Sequence, residues 1–176
     1  NGKEYDVQFS DGMYTPKYYV ANFPNSSDRY GLLASFNVEI EPIPNLKIAS
    51  RAGLDGYISL GKSTRVPSFL GTEGNGTRSR STTLSYTATI TNTIEYAFNI
   101  GNDHQFTVLA GQEGVSEYGD SFSSYAEGIS DDRLTNLQNG ISEKNQVSES
   151  FAKGQFLSFF GRADYSLMNK YYFDAS

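Results

Sequence analysis

The chain has 176 residues, a net charge of −6 and 14% aromatic residues, with thirteen Tyr and no Trp. That length allows one domain with a core of its own, and the acidic balance argues against a nucleic-acid binder, because phosphate contact needs a basic face. With no Cys and His104 as the single histidine, disulfides, thiolate nucleophiles and multi-histidine metal sites have little to draw on.

No apolar run approaches the roughly 20 residues of a spanning helix. A spanning strand needs only about 10 residues with alternate positions apolar, so a mean hydropathy of −0.47 leaves a β-barrel open. No secretory leader pattern is present. The chain opens on Asn1 and stops in the strand-like "KYYFDAS". It reads as one partial domain, residues 1–176, of a longer protein.

In chain order, residues 1–30 mix Gly, Asn, Asp, Ser and Pro with five Tyr and are expected to be irregular loop with aromatic anchors. In "LLASFNVEI", Ala34, Phe36, Val38 and Ile40 share one face and Ser35, Asn37 and Glu39 the other. Period two of this kind predicts a strand. "EPIPN" breaks it, since each Pro lacks a ladder donor. "LKIASRAGLDGYI" resumes the alternation, with Leu46, Ile48, Ala52 and Leu54 apolar and Ser50 out of place among them. Residues 59–81 are Gly/Ser/Thr-rich and are expected to form a long loop.

The cleanest strand is "TLSYTATITNTIEYAF". Leu84, Tyr86, Ala88, Ile90, Ile94, Tyr96 and Phe98 share a face broken only by Asn92; Ser85, Thr87, Thr89, Thr91, Thr93 and Glu95 share the other. "NIGND" turns the chain, and "HQFTVLAGQE" returns with Phe106, Val108 and Ala110 on one side. Residues 114–154 are expected to be a second long loop. Within it, Ser130 as a cap, Asp131 and Asp132 at the positive end and Gly140 as a stop predict a short helix near 131–139. "QFLSFFGRADYS" is a further strand, "LMNK" a tight turn and "YYFDAS" the start of a last strand.

The fold class is therefore all-β, an antiparallel meander of about six strands whose connections alternate short, long, short, long, short. Barrels of the outer membrane are built this way, with tight periplasmic turns and long extracellular loops. Tyr96, Phe98 and Phe106 flank one short turn, and Tyr165, Tyr171, Tyr172 and Phe173 flank another. An aromatic girdle suits the boundary between oil and water at that height, although aromatics are also common in any strand. The Thr-rich face suits a wet lumen or any exposed sheet.

"FLSFFGRADYSLMNKYYFDAS" resembles a late-central barrel segment of the SusC-like (SusC/RagA) TonB-dependent outer-membrane transporters. "NTIEYAFNIGNDHQFTVLAGQEG" resembles the preceding hairpin of that family, and "DRYGLLASFNVEIEPIPNLKIASRAGLDGY" an earlier one. "SDDRLTNL" also has a counterpart before the Gly-Arg strand, and the resemblance covers most of 28–176. It implies a plugged barrel of about 22 strands in the outer membrane of a Gram-negative bacterium. It also implies TonB-driven import of oligosaccharides (glycan uptake) or peptides, and a SusD-like surface lipoprotein as lid. The resemblance carries no catalytic, cofactor, metal or substrate-binding residue onto this chain.

The residues by themselves argue against an enzyme. Asp131–Asp132 reads as a pair of helix-start acids, and "GTEGNG" lacks the Lys-Ser/Thr of a phosphate loop. "NSS" at 25–27 and "NGT" at 75–77 read as loop sequence, and His104 as a solvated residue beside a turn. Tyr118, Asp120, Tyr125 and Glu127 could stack on and hydrogen-bond a sugar, or pack their loop against itself. A soluble all-β carbohydrate-binding or adhesin-like module is the alternative. As an isolated piece, the barrel reading predicts self-association through sheet edges or a covered apolar face.

Overall fold

The computed structural model describes residues 8–10, 13–69, 72 and 74–176. A short antiparallel pair, β1 (Gln8–Ser10) and β2 (Met13–Tyr14), precedes the helix α1 (Pro16–Asn22). Then come β3 (Asn25–Ile43), β4 (Leu46–Arg65), β5 (Gly76–Ile100), β6 (His104–Ile129), β7 (Gln146–Leu167) and β8 (Tyr171–Ala175). The last six form one sheet in the order β3-β4-β5-β6-β7-β8, so each strand neighbours its successor. This is the all-β meander of six strands that the alternation predicts.

The strands are longer than their hydropathy suggests. The stretch 59–81 is mostly ladder: β4 runs to Arg65 and β5 starts at Gly76, leaving a connection of 66–75. Likewise β6 runs to Ile129 and β7 starts at Gln146, so the second long connection is 130–145. These extensions lack period two because polar side chains occupy both faces. Gly61 lies against Ser81, the Arg78 guanidinium donates to Thr64 at 3.0 Å, and the hydroxyls of Ser121 and Ser150 meet at 2.8 Å. Ladder hydrogen bonds set such a strand without an apolar face.

Two further expectations are corrected. Part of the supposed loop at the start is helix: Thr15 Oγ accepts the Tyr18 N–H at 3.3 Å, and Pro16 opens the first turn with its φ already helical. Tyr5, one of the expected anchors, lies outside the described residues. The helix expected near 131–139 is present only as a single 3-10 turn, Leu137–Asn139, stopped at Gly140. The acids are engaged elsewhere. The Asp131 carboxylate accepts the backbone N–H of Arg133 at 2.8 Å and two of its guanidinium N–H groups at 2.9 and 2.6 Å. Asp132 accepts from the backbone N–H and hydroxyl of Ser68 at 3.1 and 2.5 Å.

The chain divides into two compact units. One comprises the residues up to Tyr30, Ile58–Leu84 and Asp120–Phe151. It holds the buried residues of the described chain: Pro67, Phe69, Thr72, Gly76, Ala126 and Ile129. Phe69 is the hub. Its ring stacks on Tyr18 at 5.5 Å and meets Phe23 edge-on at 5.0 Å. The Thr72 hydroxyl closes the loop onto the carbonyls of Pro67 and Phe69 at 2.7 and 2.6 Å. A side chain at Gly76 would run into the Pro67 ring and the Ile129 carbonyl, so only glycine fits there. The Val66 N–H donates to the Asn22 carbonyl at 3.1 Å, joining helix and loop.

The other unit comprises Gly31–Tyr57, Ser85–Gly119 and Ala152–Ser176. None of its described residues is buried. It contains the three tight turns, which use left-handed residues at Asn45, Gly101, and Met168 with Asn169. The turns are tied to their neighbours: the Ala97 N–H donates to Asn45 O at 3.0 Å and the Met168 N–H to Asp103 O at 2.7 Å. Across the last turn Tyr165 pairs with Phe173 and Leu167 with Tyr171.

Phe69→Ala should empty the hub of the first unit. Hydrogen exchange should show α1 opening with its protection lowered by about 3 kcal/mol, the usual cost of truncating a packed Phe. Unchanged α1 exchange would show the rings to be mere neighbours. The Arg133 guanidinium beside Asp131 holds its carboxyl down to about 2. A depressed folded pKa stabilises above the unfolded value and the contribution is lost as pH falls through the folded one. The Asp131–Arg133 contact should therefore survive mild acid and open only as pH drops towards 2. Arg133→Ala should return the Asp131 titration, read by carboxyl NMR, towards the ordinary ~4.

Candidate functional site

The functional surface of the second unit is its sheet, read one face at a time. On one face five rings form a continuous row across β5, β6, β7 and β8. The centroids run Tyr96–Phe98 5.6 Å, Phe98–Phe106 5.2 Å, Phe106–Tyr165 4.7 Å and Tyr165–Phe173 6.1 Å. The two clusters expected beside separate turns are thus one band. His104 joins its end, with Nδ1 2.7 Å from the Tyr165 hydroxyl, so it is exposed yet partnered. Tyr172 turns back to donate to the Asn169 carbonyl at 3.0 Å.

A second ring pair, Tyr86 and Tyr118, stacks at 5.3 Å on β5 and β6. It lies twelve residues along each strand from Phe98 and Phe106. Twelve residues cover ~41 Å of strand, or about 29 Å of height at the usual ~45° tilt of a spanning strand. A bilayer's hydrocarbon core is about 30 Å thick. Between the two ring rows the face is apolar and open, with Phe36 68%, Ile90 46% and Val108 44% exposed. A soluble sheet buries such a face, because each apolar side chain left in water forgoes about 1.5–3 kcal/mol.

Three polar residues interrupt this face, and they touch one another. The Ser50 hydroxyl donates to Asn92 Oδ1 at 2.8 Å, and Asn92 Nδ2 donates to Gln112 Oε1 at 3.2 Å. Ser50 and Asn92 look like isolated flaws in the alternation. Only the pairing of β4, β5 and β6 reveals them as one row, and Gln112 gives no signal by itself.

The opposite face carries the threonines. Thr91 donates to Glu113 at 3.0 Å. Asn37, Ala49, Arg51, Thr91 and Thr93 line a recess of about 130 Å³. The end of the Phe160 ring lies against Gly111 on this face, where any side chain would collide with it. Hydroxyls, an amide, a guanidinium and a carboxylate make this face polar.

The residues weighed for sugar binding are not in a loop. Tyr118, Asp120, Tyr125 and Glu127 all lie on β6. Tyr118 is stacked on Tyr86, and Glu127 is paired to Lys144 at 2.7 Å. The hydrogen bond from Lys144 lowers the Glu127 pKa, and the Glu127 carboxylate raises that of Lys144. No set of three metal-ligating side chains occurs among the described residues. Asp131 and Asp132 point to separate partners. Of "GTEGNG", residues 71 and 73 lie outside the described residues, and Thr72 is a loop closure. Asn25 opens β3, so "NSS" is strand and not loop, while Asn75 sits in the 66–75 connection. No described helix is long and apolar enough to cross a membrane, which says nothing of strands.

No family model matches the chain. A TonB-dependent receptor of Formosa agariphila, P26, is 30% identical over 156 residues, 84% of this chain and 15% of that receptor. Solved structures of the RagAB peptide transporter are 28% identical. One matches with a TM-score of 0.89, covering 99% of this chain and 20% of that one. The same importer in its 'open-open' state matches with a TM-score of 0.88 over the same shares. The chain thus spans about a seventh of the curated receptor's length. By sequence and by fold, it matches a barrel segment of the SusC-like TonB-dependent receptors.

Proposed function

We propose that these 176 residues form one stretch of the wall of an outer-membrane importer. The whole protein takes up oligosaccharides or peptides, is driven by TonB, and works with a SusD-like surface lipoprotein in a Gram-negative outer membrane. The observation that carries this reading is the coreless apolar face between two ring rows. Its height suits a bilayer, and its exposed Phe36, Ile90 and Val108 have nothing within the unit to cover them. The edges β3 and β8 then pair with neighbouring barrel strands, which removes the unpaired backbone groups a sheet edge leaves. Residues 1–176 belong to a single domain in this reading, the barrel. Lipid meets the Ile90 face and the wet lumen meets the Thr91 face.

Peptide cargo is favoured over glycan because the solved relatives are peptide transporters. The polar face supports it further: Arg51 offers a guanidinium to carboxylates, and Thr91 with Thr93 offers hydroxyls to backbone amides. A soluble carbohydrate-binding or adhesin-like module is disfavoured by the same open face.

Two measurements on the full-length receptor test this. Nitroxides placed at Phe36, Ile90 and Val108 in lipid vesicles should be accessible to oxygen and shielded from a water-soluble nickel chelate; Thr91 and Thr107 should show the reverse. Cells lacking the receptor should fail to take up labelled oligopeptides. Nickel access at Ile90 in the folded receptor would defeat the membrane reading. Unchanged peptide uptake together with lost oligosaccharide uptake would correct the cargo.

A further inference from the structure

The strands β4 and β5 keep one register over this stretch. Gly56 lies against Tyr86, Gly61 against Ser81, and Thr64 accepts from Arg78. Each step forward on β4 is a step back on β5, so Lys62 stands directly opposite Arg80. Both side chains are exposed. Neither has a hydrogen-bond or ion-pair partner among the described residues. Like charges set opposite each other destabilise a ladder.

Arg78 adds a third cation, two residues from Arg80 on the same side of β5. Its own donors are partly spent, Nε on the Leu134 carbonyl at 2.8 Å and Nη1 on Thr64 at 3.0 Å. Burial first and the Arg80 charge second lower its pKa, so the two guanidinium heads feel each other. Asp132 is the acid whose charge reaches Arg78, and it is engaged by Ser68. Among the described residues, no anion answers Lys62 and Arg80.

We infer that Lys62 and Arg80 clamp the phosphate of a glycolipid headgroup in the outer leaflet of the membrane. The placement rests on the membrane reading proposed above. Arg80 shares its side of β5 with Tyr86, six residues on, and with Ile90. Six residues cover ~20 Å of strand, or about 14 Å of height at the usual tilt. The Tyr86 end is the outer one, because the tight turns lie at the other. A phospholipid headgroup layer adds only about 5–8 Å beyond the hydrocarbon. A phosphorylated sugar headgroup rises higher and brings its anion to the pair, and the long stems of Lys and Arg reach down to it. An ammonium and a guanidinium side by side give a phosphate several charge-assisted hydrogen bonds and relieve the repulsion across the ladder.

The test uses the full-length receptor in a nonionic detergent, titrated with lipid A. Lys62→Gln combined with Arg80→Gln should weaken lipid A binding about thirtyfold, since one Lys or Arg near a charged lipid surface is worth roughly fivefold. Lys62→Arg should keep the binding, and Lys47→Gln, on the odd-numbered face of β4, should leave it unchanged. Lipid A stripped of its phosphates should bind the unaltered receptor as weakly as lipid A binds the double variant. Heat-modifiable gel mobility reports that the barrel has folded. Should the double variant not fold, the phosphate-free lipid decides alone. Binding indifferent to the double substitution or to the phosphates would overturn the inference. So would displacement by inorganic phosphate, or by an acidic oligopeptide, at the concentration of the lipid. A nitroxide at Ile90 in lipid vesicles separates the two readings. Shielding from the nickel chelate there, with lipid A binding unmoved by the double substitution, sinks only the clamp; nickel access there sinks the membrane placement itself.

Discussion

A sheet without a core must find its cover outside itself. The second unit of this chain has six strands of ladder and no buried side chain among its described residues. Its apolar side chains are not scattered. On β5 and β6 they share one face, which is bounded by stacked rings, although Phe160 of β7 lies on the other. Water is the wrong solvent for that surface, and hydrocarbon is the right one. Once acyl chains take the place of a core, the rest follows. The ladder must satisfy every backbone group, the turns must be short, and the opposite face is free to be polar.

The first unit answers to the opposite constraint. There the strands carry polar side chains on both sides, and the loops between them must hold themselves together in water. They do so with a small true core, Phe69 under Tyr18 and Phe23, and with specific polar pins. Arg78 donates to the Leu134 carbonyl at 2.8 Å and to Thr64, and burial is the main reason its pKa is lowered. Asp132 reaches Ser68. The loops are therefore built surfaces and not slack between strands.

This division explains what could be read from the chain. Period two finds strands where one face meets an apolar medium, so Ala34 to Ile40 and Leu84 to Phe98 stand out at once. It is silent where both faces meet water, so the ends of β4 and β6 look like loop. Thr15–Pro16 was a legible helix start, hidden among Tyr, Asn and Asp. The acids at 131–132 looked like a helix start because their partners, Arg133 by a tight local turn and Ser68 from another connection, cannot be weighed by propensity. The apolar face was legible residue by residue, whereas the polar row needed the register: Ser50, Asn92 and Gln112 are neighbours only across three strands.

The central claim concerns which medium touches the even-numbered face of β5. Arginine substitution at adjacent positions reads it most directly. In the full-length receptor folded into lipid, Ile90→Arg should cost ~2–4 kcal/mol of folding free energy, the penalty for that charge near the bilayer middle. Thr91→Arg, one residue on and on the opposite, polar face, should cost well under half as much. Equal costs at the two positions, or a larger one at Thr91, would contradict the account.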